Sequence, residues 1–212
     1  MRRDRYKTSI AFIDLLFNIT IGLAMLFIIA FLLINPVAKK GDIIVKAEFI
    51  ITMSWPADRH DDIDLYLKDP ADNYVFFKQK DKGLNNLDRD DLGSSNDVVK
   101  TVSGDVFYRL NEEHITIREV LPGQYIVNAH WYSKSNVTKQ LPTGEVYEPS
   151  VTVPVTIKIE KLNPYQLVYV GTKTLDFQGA EATFLRFTLD DEGNVVETND
   201  LPFKMANTTG TR

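Results

Sequence analysis

The chain of 212 residues contains no cysteine and only three histidines. Without cysteine it can form neither a disulfide framework nor a thiolate metal site. His60, His114 and His130 are scattered along the chain and lack the paired spacing of zinc ligands. No glycine-rich phosphate loop, nucleophile elbow or HExxH helix occurs either. We therefore predict that the protein is not an enzyme and requires no catalytic cofactor.

Positive charge is also scarce. The 24 lysines and arginines are outnumbered by 29 aspartates and glutamates, which gives a net charge of −5. Basic residues cluster only at the N-terminus, at Arg2, Arg3, Arg5 and Lys7. Because nucleic-acid binding depends on a basic face, we predict that nucleic acid is not a partner.

The sequence does contain one long apolar run, from Ile10 to Ile34. As a helix it would extend for roughly 37 Å at ~1.5 Å per residue, which is enough to cross a bilayer core. We predict a cytoplasmic basic tail over 1–8 and a transmembrane helix over 9–35, with the rest of the chain outside. The alternative is a cleavable signal peptide, but its apolar region has only ~7–15 residues and no convincing cleavage site follows here.

Asp14 lies inside this run and is the leading candidate for a functional residue. A carboxylate there costs about 2.5–3.5 kcal/mol on insertion scales, so such residues usually face a partner or a water-filled path. Asn18 lies four residues later on the same helical face, and Ala11 and Gly22 continue that face with small residues that permit close helix approach. The alternative is that Asp14 reaches the membrane interface or only holds two helices together.

The segment Phe12-Ile13-Asp14-Leu15-Leu16-Phe17, after a short basic N-terminus, resembles the start of MotB, TolR and ExbD. These are the B subunits of ion-driven membrane motors, and the resemblance covers about residues 1–38. It implies that Asp14 carries the transported H⁺ or Na⁺ in the bacterial inner membrane. It also implies a dimer of this chain inside a pentamer of multi-span MotA/TolQ/ExbB-type subunits.

After Asn35-Pro36, which ends the helix, we predict a linker over 36–43 and β structure over 44–200. Alternating polar and apolar residues between turn signals favour an all-β, immunoglobulin-like sandwich, followed by a flexible tail over 201–212. The predicted strands are 45–55, 63–68, 74–78, 114–119, 124–132, 151–161, 166–175 and 183–189. The predicted fold class is therefore a single N-terminal transmembrane helix followed by a periplasmic β-sandwich.

Three segments, Asp62-Ile63-Asp64-Leu65-Tyr66-Leu67, Leu87-Asp88-Arg89-Asp90-Asp91 and Leu121-Pro122-Gly123-Gln124-Tyr125, fall within residues 48–132. The first two resemble the signature of bacterial YfaP-like domains, and the third resembles a strand start of many extracellular β-sandwiches. The YfaP-like group has no single activity. The region also differs from the peptidoglycan-binding domain of MotB, so the periplasmic or cell-envelope ligand stays open.

Two acidic stretches lie in this region, and hard cations such as calcium bind six to eight oxygen ligands. We predict Asp64, Asp88, Asp90 and Asp91 as candidate calcium ligands. The alternative is a set of solvated loops in which aspartates cap turns through the backbone, as they commonly do.

Two functions follow from these patterns. The first is the B subunit of a proton- or sodium-driven 5:2 rotary motor, in which Asp14 alternates between charged and neutral forms. The second is a membrane-anchored periplasmic recognition module, in which Asp14 only mediates helix association.

Overall fold

A computed structural model describes residues 4–34, 46–93, 96–108, 110–134, 144 and 151–206. The chain divides into two units, Met1–Ile44 and Val45–Arg212. The predicted linker over 36–43 and the last part of the predicted tail, 207–212, lie outside the described residues.

The first unit contains the helix α1, which runs from Asp4 to Ile34. Leucine, isoleucine, phenylalanine and alanine dominate its sequence, and no proline interrupts it before Pro36. Its stretch Ser9–Leu33 has a mean hydropathy of 2.6 and is long and apolar enough to cross a membrane. A signal sequence near the N-terminus would meet the same criterion. The helix predicted over 9–35 is therefore confirmed as an apolar helix.

The second unit is an all-β domain. Its strands in the described part of the chain are β1 (Phe49–Ser54), β2 (Asp62–Lys68), β3 (Tyr74–Val75), β4 (Asp81–Lys82), β5 (Asn85–Arg89), β6 (Val98–Thr101), β7 (Gly104–Phe107), β8 (Glu112–Ile117), β9 (Gly123–Ser133), β10 (Val153–Leu162), β11 (Tyr165–Leu175), β12 (Glu181–Leu189) and β13 (Val195–Asn199).

These strands form two large sheets and one hairpin. The first sheet has the order β11-β10-β1-β8-β5-β4, and the second has the order β13-β12-β9-β2-β3. Among the described residues, strands β6 and β7 pair only with each other. Each of these pairings is antiparallel. The central strand β1 places Ile51 opposite Ile159 of β10 and Ile115 of β8.

One hydrophobic cluster joins the two sheets. In β1 and β10 every second residue is buried, which is the pattern of strands with one face in a core. These buried residues of the first sheet contact large side chains from β2, β9 and β12 of the second. Full burial of each large side chain contributes about 1.5–3 kcal/mol, so this shared core holds the domain together. Its largest members from the second sheet are Trp131, Tyr125, Phe184, Phe187, Ile63 and Leu65.

The structure confirms a strand at each of the eight predicted positions, with ends that differ by a few residues. The sequence analysis missed β4, β5, β6, β7 and β13, which have at most five residues each. β6 and β13 each contain two adjacent valines, whereas the other three strands contain no adjacent β-branched residues. The tail predicted to be flexible from 201 differs as well. Met205 is fully buried, and its N–H donates to Glu181 Oε1 at 2.7 Å, so residues 201–206 belong to the domain.

Two loops of the second sheet have the same hydrogen-bonding pattern around an aspartate. After β2, the Asp69 carboxylate accepts hydrogen bonds from the backbone N–H of Ala71 and of Asn73. After β12, Asp190 does the same for Glu192 and Asn194. In each loop the asparagine side chain also donates to the aspartate. Aspartate favours such turns because its short side chain bonds the backbone a few residues on.

The two loops should respond differently to loss of their aspartate. Asp69 is fully buried and also accepts from Asn85 Nδ2, so Asp69→Ala should lower the free energy of unfolding by about 2–4 kcal/mol. Asp190→Ala is the matched control, and its loss should be smaller because water can replace the carboxylate on that exposed loop. Denaturant unfolding followed by tryptophan fluorescence measures both. Equal losses would contradict this account.

Tyr125 links the start of β9 to the preceding turn. Its hydroxyl accepts a hydrogen bond from the N–H of Leu121, four residues earlier, at 3.0 Å. The ring is buried and stacks on Phe187 with 5.2 Å between centroids. Burial raises the pKa of Tyr125 from 10.0 to about 12, since the phenolate is poorly solvated there.

This raised pKa gives a pH-dependent stability. The native state holds the phenolic proton more tightly than the unfolded state, so the contribution of Tyr125 is complete below pH 10 and is lost as pH rises through 12. Tyr125→Phe should lower the free energy of unfolding by about 1 kcal/mol below pH 10, and this difference should shrink at higher pH. Thermal unfolding at several pH values measures it. The control Tyr108→Phe, at an exposed site, should leave the alkaline profile unchanged.

Candidate functional site

The first candidate site is the polar face of α1. Asn18 Nδ2 donates to Asp14 Oδ1 at 3.5 Å, so the structure brings these two predicted residues together. A Cβ atom added at Gly22 would meet nothing within 4 Å, which leaves space for a close helix partner. The hydroxyl of Thr20 donates to the carbonyl of Leu16 at 2.8 Å and is satisfied within its own helix.

The second candidate site is an acidic cluster of Asp64, Asp90 and Glu113, hereafter the acidic cluster. Each residue offers one carboxylate oxygen, and these oxygens all lie within 4.8 Å of one another. Asp64 is in β2 of the second sheet, and Glu113 is in β8 of the first. Asp90 directly follows β5, whose Arg89 pairs with His114, so the antiparallel register places Asp90 beside Glu113.

Glu113 connects the two sheets at this point. Its Oε2 accepts a hydrogen bond from the N–H of Leu65 at 2.7 Å, and its Oε1 accepts from the N–H of Asp91 at 3.2 Å. Among the described residues, β3 pairs with β2 only at Leu67 and Lys68. The N–H of Leu65 therefore has no partner in β3 and donates to the Glu113 side chain instead. A glutamate of one sheet therefore completes the hydrogen bonding of a strand edge in the other.

Burial dominates the electrostatics of this region. It raises the pKa of Glu113 well above its ordinary range, and the nearby Asp64 carboxylate adds to the effect. Burial also raises the pKa of Asp64, although His130 opposes that shift. Burial and the charge of Asp64 raise the pKa of Asp62 to about 7. Burial also raises the pKa of Asp91 to about 6. Burial is the largest cause of each shift, so the charged form of these acids is disfavoured in this region.

Two oxygens of the acidic cluster have no hydrogen-bond partner in the described part of the chain, namely Asp64 Oδ2 and Asp90 Oδ1. The closest ionic neighbour of Asp64 Oδ2 is His130 Nδ1 at 3.6 Å, which is beyond hydrogen-bonding distance. Asp90 uses its other oxygen, Oδ2, to bind Lys80 Nζ at 2.7 Å. Buried carboxylate oxygens are rarely left unpaired, so these two need an explanation.

The structure places the other two predicted calcium ligands differently. Asp88 accepts hydrogen bonds from Asn86 Nδ2 and Thr116 Oγ1, both at 2.6 Å, on an exposed part of the first sheet. Asp91 accepts from the N–H of Gly93 at 2.9 Å, which is a local turn contact. Of the four predicted residues, the structure thus brings Asp64 and Asp90 together, while Asp88 and Asp91 bond elsewhere.

The sequence analysis did not single out Glu113. Strand β8 alternates half-buried and buried residues, and Glu113 occupies the same face as Ile115 and Ile117. The signal was therefore a charged residue at a position that the period of two assigns to the core. The predicted strand began one residue too late, at 114, so that position was not considered.

The three histidines do not form a common site in the structure. His130 is buried and packs edge-on against Tyr66, with ring centroids 5.9 Å apart. His114 Nδ1 lies 3.2 Å from the hydroxyl of Thr52 in the neighbouring strand. His60 lies between β1 and β2, where it is buried and interacts with other residues.

Variants of Glu113 should separate its hydrogen bonds from its volume. Glu113→Leu keeps a similar volume but leaves two N–H groups without an acceptor, so it should lower the free energy of unfolding by about 2 kcal/mol or more. Glu113→Gln retains one amide oxygen as an acceptor and should be clearly milder. Denaturant unfolding compares the two, and amide hydrogen exchange at Leu65 should accelerate in Glu113→Leu. Equal stability of both variants would exclude the bridging role.

No protein-family model and no curated protein matches this chain. A solved structure with some likeness is that of SAV2460, a protein of unknown function, with 16% sequence identity and a TM-score of 0.40. The match covers 78% of this chain and 98% of that one. A likeness at this level supports no argument about function, so the candidate sites stand on their own geometry.

Proposed function

We propose that the protein is the B subunit of an ion-driven rotary membrane motor. The observation that carries this proposal is a carboxylate, Asp14, within the apolar stretch Ser9–Leu33, with Asn18 on the same helical face at 3.5 Å. An acid in such a stretch raises the free energy of membrane insertion unless it faces a partner protein or a water-filled path. The resemblance of residues 12–17 to MotB, TolR and ExbD points to the same role.

The proposed mechanism uses the two charge states of Asp14. In contact with hydrocarbon the neutral acid is favoured, whereas a hydrated path permits the carboxylate. One elementary charge that crosses 100 mV releases about 2.3 kcal/mol, so repeated binding and release of H⁺ or Na⁺ can drive movement of the helix against its surroundings. Asn18 would orient the carboxylate through its amide, and Gly22 would allow a neighbouring helix to approach.

A single helix with one acid cannot form an ion path alone. The proposal therefore requires multi-span MotA/TolQ/ExbB-type partners, five copies around two copies of this chain, in the bacterial inner membrane. The basic residues before the helix favour an N-terminus in the cytoplasm and a periplasmic second unit. In this arrangement the β domain would bind a cell-envelope ligand and hold the complex in place.

For the β domain we infer an immunoglobulin-like sandwich. Two antiparallel sheets share one core, as in that architecture. The hydroxyl of Tyr125 also accepts a hydrogen bond from the backbone four residues earlier, which resembles the tyrosine corner of such domains. An exported sandwich of this kind commonly presents loops at its ends for recognition.

The decisive variant is Asp14→Asn, which has nearly the same shape but cannot carry a proton or bind Na⁺ as an anion. The tagged full chain is purified from its host membranes with its partners, and the complex is reconstituted in vesicles under an imposed membrane potential. We expect ion entry with the wild-type complex and none above background with Asp14→Asn, while the 5:2 stoichiometry is unchanged. Asn18→Ala is the control that keeps the carboxylate, and it should retain part of the activity.

Two outcomes would count against the motor. Undiminished ion entry with Asp14→Asn would remove the ion-carrying role of Asp14. Recovery of the chain without a multi-span partner would leave the anchored recognition module. That alternative also predicts that replacing residues 9–33 by an inert polyleucine helix preserves the function of the β domain in cells.

A further inference from the structure

We propose that the acidic cluster of Asp64, Asp90 and Glu113 binds one hard divalent cation of the calcium type. The site is distinct from the helix carboxylate Asp14 and does not depend on the motor function. It also differs from the ligand set that the sequence indicated, because Glu113 takes part while Asp88 and Asp91 bond elsewhere.

The spacing of the three carboxylates suits a common ion. Calcium binds oxygen at about 2.3–2.6 Å, so two oxygens on the same ion are at most about 5 Å apart. The three oxygens of the acidic cluster lie within 4.8 Å of one another. Only small side-chain movements are then needed to bring them to bonding distance. All three donors are carboxylate oxygens, which hard cations prefer over nitrogen or sulfur.

The unpaired oxygens supply an independent reason to expect a ligand. Asp64 is only 2% exposed, and its Oδ2 has no hydrogen-bond donor among the described residues. Asp90 Oδ1 also has no hydrogen-bond donor among the described residues. Solvent can hardly reach Asp64, and an unpaired buried carboxylate oxygen loses its hydration without compensation. A cation bound to these two carboxylates would compensate for the hydration that they lose on burial.

The positive groups near the acidic cluster do not replace that cation. Lys80 contacts Asp90 Oδ2 from a side chain that is half exposed, and so it occupies the outer oxygen of one carboxylate. Arg89 faces Asp91 at 3.6 Å instead of the three clustered acids. His130 lies beside Asp64 but carries charge only when protonated. The three neighbouring carboxylates therefore face Lys80 at Asp90 and the charge of Lys78 at Asp64, and a divalent ion would compensate the negative charge that remains.

A surface cleft gives an entry route on the side of Asp90. A surface cleft of about 440 Å³ reaches Asp90 between β5 and the β6–β7 hairpin, and its other lining residues include Val99, Val106 and Tyr108. Water could reach the ion through this cleft and complete its coordination. Calcium tolerates irregular sets of protein and water oxygens, whereas magnesium demands near-octahedral geometry. The asymmetric arrangement of three acids from separate elements thus favours calcium.

A bound ion would join the two sheets at a second point beside the hydrogen bonds of Glu113. Asp64 belongs to β2 of the second sheet, while Asp90 and Glu113 belong to the β5–β8 side of the first. The core already joins the sheets through apolar contacts, and the ion would add a link at their acidic edge. Binding to the native state alone would also stabilise the domain by mass action.

Calcium titration of the full chain tests the proposal directly. The protein is purified in detergent, freed of metal with a chelator, and titrated with CaCl₂ in a calorimeter. We expect saturable binding of one equivalent. Asp90→Asn should weaken it at least about tenfold, since it removes a ligand. Asp88→Asn is the matched control, two residues away with its carboxylate bonded to Thr116, and it should leave the affinity within about twofold.

A second pair of variants raises the affinity instead of lowering it. Lys80→Met removes a positive charge beside Asp90, so calcium should bind more tightly because the repulsion between the two cations is lost. Lys82→Met removes an exposed lysine two residues away in β4 and should change little. A gain in affinity cannot result from unfolding, so this pair keeps the test valid if an acid variant is unstable.

Thermal unfolding provides the remaining check. Calcium should raise the midpoint of the wild type and of Asp88→Asn but not that of Asp90→Asn. Without metal, Asp90→Asn should remain folded, since the substitution relieves repulsion among the acids. The absence of saturable calcium binding by the wild type at millimolar concentration would overturn the proposal. So would equal weakening by Asp88→Asn, or an effect that magnesium and monovalent salt reproduce equally.

Discussion

The structure of the β domain depends on one constraint: each of the two large sheets must bury one face against the other. The alternation of buried and half-buried residues in β1, β8 and β10 supplies the first sheet with an apolar face, and residues such as Trp131 and Phe187 supply the second. Because a shift of one residue would turn every apolar side chain outward, this packing also determines the register of the strands. The loops, the turn aspartates and the acidic cluster take their positions from that register.

Glu113 shows how a polar residue persists inside such a constraint. It occupies an inward position of β8, where burial of an apolar side chain would cost less free energy of desolvation. The N–H groups of Leu65 and Asp91 stabilise it there by hydrogen bonds. Departures from the local pattern tend to mark functional or strained positions. Here the departure coincides with two more acids and two unpaired oxygens, which is why we assign a ligand to this place.

The two units of the chain follow different physical rules. In α1 the apolar side chains are exposed in the structure and match a membrane as their solvent, so polar residues are the exceptional ones. In the β domain the apolar side chains are interior, and a buried acid is the exceptional residue. Each unit thus contains carboxylates among apolar residues: Asp14 in the stretch Ser9–Leu33, and Asp64 with Glu113 at the buried acidic edge of the sheets. Both proposals rest on those residues.

The sequence by itself determined the apolar helix, the polar face of Asp14 and Asn18, and strands at eight places, because these depend on local periodicity and length. It did not reveal β4, β5, β6, β7 and β13, because strands of two to five residues are too short for an alternating pattern to distinguish them from loops. Only the tertiary structure decided which acids meet. Asp64, Asp90 and Glu113 are far apart in the chain, and the pairing of β5 with β8 and the packing of β2 against them bring the three together. Asp88 and Asp91 are close in sequence to Asp90, but the geometry of the strand and the turn directs their carboxylates to other partners.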